Sequence, residues 1–106
     1  MGQEIDFYYA VIFTAQRKES DRGYKETADQ MMSLVKKQRG FLGVDTVRSI
    51  EGFGITVSYW DSLESIDEWK ENVFHRKAKS AGRSEWYKSY RVQVARVEKS
   101  YGTTKH

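Results

Sequence analysis

Cysteine and proline are absent from this chain of 106 residues, and histidine occurs only at positions 75 and 106. Without cysteine there is no disulfide, no thiolate nucleophile and no cysteine-based metal site, which permits a reducing compartment. Two histidines so far apart offer no metal-ligand spacing. With no proline and no low-complexity stretch, nothing marks a linker, and the chain reads as a single domain over 1–106, its core about 7–101 and its C-terminal tail flexible. No apolar run is long enough to span a bilayer, and the first residues lack the basic stretch of a signal peptide; a soluble, cytoplasmic protein is expected, with no membrane partner. Met1-Gly2 opens like a myristoylation signal, but Asp6 stands where serine or threonine is required. A strong charge of one sign is missing too. Eighteen basic and fifteen acidic residues leave a net charge of +3, with acids interleaved among the bases, which is the pattern of a solvated surface and not of a nucleic-acid partner.

What the chain does have is aromatic and β-branched residues in blocks. "FYYAVIFTAQ" (Phe7 to Gln16) is apolar on both parities, as expected of a strand covered on both faces. From Tyr24 to Gln38, Tyr24, Ala28, Met31 and Val35 recur at helical spacing, with Leu34 widening the stripe and Arg39-Gly40 as terminator. "FLGVDTVRSI" and "GITVSYW" read as two strands joined by "EGFG" into an antiparallel hairpin. Asp61 or Ser62 caps a second helix carrying Ile66, Trp69 and Val73, with Phe74 beside the stripe, and Gly82 ends that segment. "WYKSYRVQVARVEKSY" closes the chain as a long strand.

The order β-α-β-β-α-β predicts an α+β, ferredoxin-like fold: a four-stranded antiparallel sheet with both helices on one face. The other face, rich in aromatic side chains, needs a cover. A homodimer pressed sheet to sheet provides one, and the last strand is long enough to reach the partner. The same order serves the RNA-recognition motif, and "EGFGITVSY" echoes its aromatic-bearing strand. Glu51 stands where that motif needs a cation and Ile55 where it needs a stacking aromatic, so no nucleic-acid partner is expected. Phe53 is better explained as a hairpin tip packed between glycines that permit positive φ.

The second helix holds the candidate site. At about 100° per residue, Asn72 lies about 60° from Trp69, and His75 about 60° beyond Asn72. The three fan over one side of the helix and can edge a pocket between helix and sheet, floored by Ile66 and Val73. Each has a plainer explanation: core packing for Trp69, the solvent edge for Asn72, and exposure beside Arg76 and Lys77 for His75. No Ser-His-Asp arrangement, phosphate loop or dinucleotide fingerprint accompanies them, so any chemistry rests on pocket shape and hydrogen bonding.

Trp60-Asp61-Ser62, followed by Trp69, His75, Ala78, Gly82, Trp86-Tyr87 and Tyr90, together with "YYAVIFTAQR" and "RGFLGV", resembles the antibiotic biosynthesis monooxygenase (ABM) domain family, in particular its small, uncharacterised bacillus-type members. The resemblance runs over almost the whole chain. It implies a dimeric α/β barrel of two ferredoxin-like subunits with a substrate cavity between sheet and helices. It further implies a cofactor-independent monooxygenase acting on an aromatic or quinol-like small molecule, or, alternatively, a non-catalytic ligand-binding or stress-associated dimer of the same fold. By that resemblance Trp69, Asn72 and His75 are the catalytic candidates, and Trp60, Trp86, Tyr90 and Arg91 the substrate-binding ones. No metal and no cofactor are implied. Haem-degrading members carry an asparagine on the first strand and a histidine farther along the second helix; here the first strand has no asparagine and the residue ten beyond Trp69 is Lys79, which argues against haem.

Overall fold

The computed structural model of the chain describes residues 7–18, 24–79 and 87–103, and for Tyr24, Thr27 and residues 74–79 it describes the backbone alone. Six elements follow one another: β1 (Tyr8–Arg17), α1 (Tyr24–Val35), β2 (Phe41–Arg48), β3 (Phe53–Trp60), α2 (Leu63–Lys79) and β4 (Tyr87–Val97). The strands form one sheet in the order β2-β3-β1-β4, every neighbouring pair antiparallel. This is the expected ferredoxin-like arrangement. Each helix carries the chain from a central strand to an edge strand, α1 from β1 to β2 and α2 from β3 to β4, and both contribute to one apolar cluster on one face.

That cluster is built from Val35 of α1, Trp60 of β3 and Ile66 of α2, all buried, with Tyr9, Val11, Met32, Phe41 and Trp69 packed around them. Tyr9 and Val11 therefore point towards the helices. By strand alternation Tyr8, Ala10, Ile12 and Thr14 point to the opposite, helix-free face. Register carries the same division across the sheet. Val57 and Tyr59 of β3, Asp45 of β2, and Arg91, Gln93 and Ala95 of β4 stand on the helix-free face, while Ser58, Trp60, Val92 and Val94 stand on the helix-bearing face. The sequence pattern of two apolar faces on β1 is thus realised: one face meets the helices, and the other presents Tyr8 and Tyr59, whose rings meet edge-on at 6.1 Å.

Element ends differ from expectation in instructive ways. The stripe in α1 predicts a helix to Gln38, but α1 closes at Val35. Lys37 and Gln38 donate their N–H groups three residues back, to Leu34 and Val35, a tightened final turn in place of continued α-helix. Gly40 then takes φ 85° and its carbonyl accepts the Asp61 N–H at 2.9 Å. A Cβ there would collide with Ser65 Oγ and Asp61 Oδ1, so this glycine serves both the left-handed backbone and the close approach of the α2 start. Of the two caps considered for α2, Ser62 acts: its Oγ accepts the Ser65 N–H at 3.1 Å. Ser65, buried, donates its own hydroxyl to Asp61 Oδ1 at 3.1 Å.

In the β2–β3 hairpin the strands stop at Arg48 and restart at Phe53, and Ser49 accepts the Gly52 N–H at 3.0 Å to close the turn. Gly52 has φ 96°, as the hairpin reading requires. Phe53, expected to pack between the glycines, is instead 46 % exposed, since the turn directs it outward and only its backbone is tied to Ser49. The Gly52-Phe53-Gly54 core of the RNA-binding echo falls on the turn and the start of β3, and the rest of the stretch forms that strand.

Candidate functional site

The centre of the helix-bearing face is a stack of indoles. Trp60 is the one large side chain with no exposed surface at all among the described residues. Its N–H would be costly to bury unpaired, and it donates to Ser58 Oγ, two residues back on the same side of β3, at 2.9 Å. Phe41 meets it edge-on at 5.5 Å from the neighbouring strand, and Trp69 of α2 stacks over it at 6.2 Å with the planes 26° apart. Trp69 is only half-buried, so one surface rests on the core and the rest faces outward. Core packing and a pocket wall, offered as alternatives by the sequence, are two sides of the same ring.

One turn on, Asn72 is also half-buried. Its Nδ2 donates to Gln38 Oε1 at 3.4 Å, and Gln38 Nε2 donates back to the Leu34 carbonyl at 3.1 Å, a second donor there beside the Lys37 N–H. Gln38 thereby ties the end of α1 to the middle of α2 and fixes the orientation of the Asn72 amide. The second N–H and the Oδ1 of Asn72 have no partner among the described residues, so a donor and an acceptor remain beside the Trp69 ring.

Across the same face, Phe13 of β1 meets Tyr87 at 5.5 Å and Tyr90 at 5.9 Å, and the two tyrosines meet at 6.2 Å. Val92 pairs with Phe13 and Val94 with Val11, so both valines continue this aromatic cluster along β4. Yet Tyr90, Val92 and Val94 are 46 %, 51 % and 50 % exposed. An apolar strip on the helix-bearing face, next to the core and open along β4, is the natural floor for a flat hydrophobic ligand.

The residues expected from the sequence distribute as follows. Trp69 and Asn72 lie one turn apart on α2, Trp69 over Trp60 and Asn72 against Gln38, and Tyr90, paired with Ala15, lies on the same sheet face in the β4 strip. Trp60 is enclosed beneath Trp69 and offers a ligand no surface of its own; it sets the level and tilt of the ring above it. Arg91 pairs with Thr14 and stands on the helix-free face, away from Trp69 and Asn72. His75 lies on α2, six residues beyond Trp69, with its side chain outside the described residues, and Trp86 also lies outside them. Sequence reasoning missed Gln38, Phe13, Tyr87, Val92 and Val94. Only the topology, which brings the end of α1 against α2 and β4 beside β1, makes these neighbours. A surface groove of about 340 Å³ on α1, lined by Asp29, Gln30, Ser33, Leu34 and Lys37, involves none of the candidates. Among the described residues no group of three histidine, cysteine or carboxylate side chains is placed to hold a metal ion.

The protein-family model described as antibiotic biosynthesis monooxygenase matches residues 7–81. An uncharacterised protein of Bacillus subtilis, YqjZ, is 54 % identical over 92 residues, 87 % of this chain and 81 % of its own. The fold recurs in a solved protein from Shewanella oneidensis, at TM-score 0.72 and 10 % identity, covering 88 % of this chain and 93 % of that one. It recurs in one from Mycobacterium tuberculosis at TM-score 0.67 and 17 % identity, covering 92 % and 99 %. SnoaB, a cofactor-independent oxygenase from Streptomyces nogalater, superposes at TM-score 0.61 and 9 % identity, covering 95 % and 100 %.

Proposed function

The chain belongs to the antibiotic biosynthesis monooxygenase family, and from that membership and the geometry of the helix-bearing face we propose that it is a cofactor-independent monooxygenase of an aromatic or quinol-like small molecule, working as a sheet-to-sheet homodimer. The observation that carries this reading is the pairing of a half-buried Trp69, backed by Trp60, with an Asn72 amide that Gln38 holds in place, on the same face as the open Tyr90–Val92–Val94 strip.

In this reading the flat substrate lies on the β4 strip with its ring beside Trp69. Asn72, and His75 farther along α2, hydrogen-bond the phenolic or enolic oxygen. These contacts strengthen as that oxygen loses its proton and gains charge, so they favour the anion over the neutral substrate. An electron-rich anion reduces dioxygen by one electron; recombination of the two radicals forms the carbon–oxygen bond. For a conjugated methylene, one oxygen atom becomes a carbonyl and the other leaves as water, and all four electrons come from the substrate. Holding the substrate against the apolar strip and the Trp69 ring supplies the orientation.

Oxygen uptake with a panel of hydroquinones and phenolic polycycles tests the proposal, comparing wild type with Trp69→Phe and His75→Ala. Wild type is expected to consume oxygen with at least one of them, and each variant to lose about tenfold or more in kcat/KM, a threshold set below the roughly hundredfold contribution of one positioned hydrogen bond or proton-transfer group. Uptake indifferent to both substitutions would overturn the assignment of the site to Trp69 and His75, whereas bound ligand without uptake would mark a binding protein of the same fold.

A further inference from the structure

The helix-free face carries one acidic and one basic side chain among the register-paired strand positions, and they stand on opposite edges: Asp45 on β2 and Arg91 on β4. Asp45 shares a row with Val57, Ile12 and Gln93; Arg91 stands one row along, with Thr14 and Ile55. Three strand spacings of about 4.8 Å separate the edges, some 14 Å, so the two charges do not meet within one chain. Neither has an ion-pair partner among the described residues. The Asp45 carboxylate is nonetheless held in place, accepting the Tyr59 hydroxyl at 3.1 Å.

Resting on the homodimer reading above, we propose that the two copies are registered by a pair of symmetry-related ion pairs, Asp45 of each copy with the partner's Arg91. A two-fold axis between the sheets and parallel to the strands lays β2 of one copy over β4 of the other. Asp45 then faces the partner's Gln93, and the partner's Arg91 is two residues, or about 7 Å, along the strand, within the reach of an arginine side chain. An axis across the strands would instead lay β2 over β2 and β4 over β4, bringing like charges to the same edge. The charges thus select one of the two ways of stacking the sheets, which is how charged groups most often serve an interface. Both pairs form together, because an isologous contact repeats every interaction. Each links an edge strand of one copy to an edge strand of the other, closing the apolar centre around Tyr8, Ile12 and Val57 from water.

Sedimentation velocity on charge-reversed variants tests this. Wild type is expected to be a dimer, with Asp45→Arg and Arg91→Asp each raising the dimer dissociation constant by at least about tenfold. An equimolar mixture of the two variants is expected to restore dimerisation as a heterodimer, since each interface site then holds one acid and one base. The double variant Asp45→Arg/Arg91→Asp is expected to regain it as a homodimer. Thermal melts monitor folding separately, and both positions are exposed strand-edge sites. If the single variants dimerise like wild type, or if mixing them restores nothing, the ion pairs are wrong while the dimer stands. A wild type that is monomeric at all concentrations overturns the dimer reading and this one together.

Discussion

At the scale of single residues, Trp69 and Tyr59 show how the two faces of one sheet impose different chemistry. Trp69 has a fully enclosed Trp60 at its back, and the stacking fixes its ring without using its outer side. Tyr59, on the opposite face, keeps its proton unusually firmly. Partial burial raises its pKa above the ordinary 10.0, and the hydrogen bond and negative charge of Asp45 push the same way, because a phenolate there would lose the bond and face a carboxylate. A raised folded pKa stabilises the fold below the unfolded value of 10.0, and that contribution disappears as pH climbs through the folded value. The difference in phenolate absorbance between wild type and Tyr59→Phe is therefore expected to appear above pH 10.0, and Asp45→Asn to move it to lower pH. A difference curve centred at or below 10.0 would contradict the contact.

At the scale of elements, the junction of Gly40 with the start of α2 is where local sequence and tertiary structure meet most closely. Gly40→Ala faces about 1–2 kcal/mol for the left-handed backbone alone, and adds a collision with Ser65 and Asp61. Ser62→Ala loses a helix cap worth about 1 kcal/mol. Thermal unfolding is expected to rank Gly40→Ala below Ser62→Ala and both below wild type, the cap alone shifting the midpoint by roughly 4–8 °C in a domain of this size; equal midpoints would contradict the contact at Gly40. Much of this was legible beforehand. Periodicity located all six elements, and Gly40 and Ser62 announced a helix end and a helix start. The end of α1 was not legible, because Lys36, Lys37 and Gln38 are good helix formers that run up to the Arg39-Gly40 terminator, while the backbone already tightens after Val35. For the same reason Gln38 looked like one more polar helix residue and not the partner of Asn72. Phe53 misled because an aromatic residue between glycines in a hairpin suggests packing, whereas this turn points it outward. The Phe13–Tyr87–Tyr90 cluster depends on β1–β4 register, which no local pattern encodes.

At the scale of the whole molecule, the sheet divides the labour. The helix-bearing face combines a packed indole core with an open apolar strip, and the other presents Tyr8 and Tyr59 with, among the register-paired positions, one charge at each edge. The family supplies the fold; the proposal of monooxygenation rests on that membership together with the residues on α2 and β4. The most direct test is turnover under heavy-isotope dioxygen, using the compound of the panel consumed fastest and reading the product by mass spectrometry for wild type, Trp69→Phe and Asn72→Ala. The account predicts one labelled oxygen atom in the product, with incorporation falling about tenfold or more in both variants. An unlabelled oxidised product, or labelling that ignores both substitutions, would contradict it.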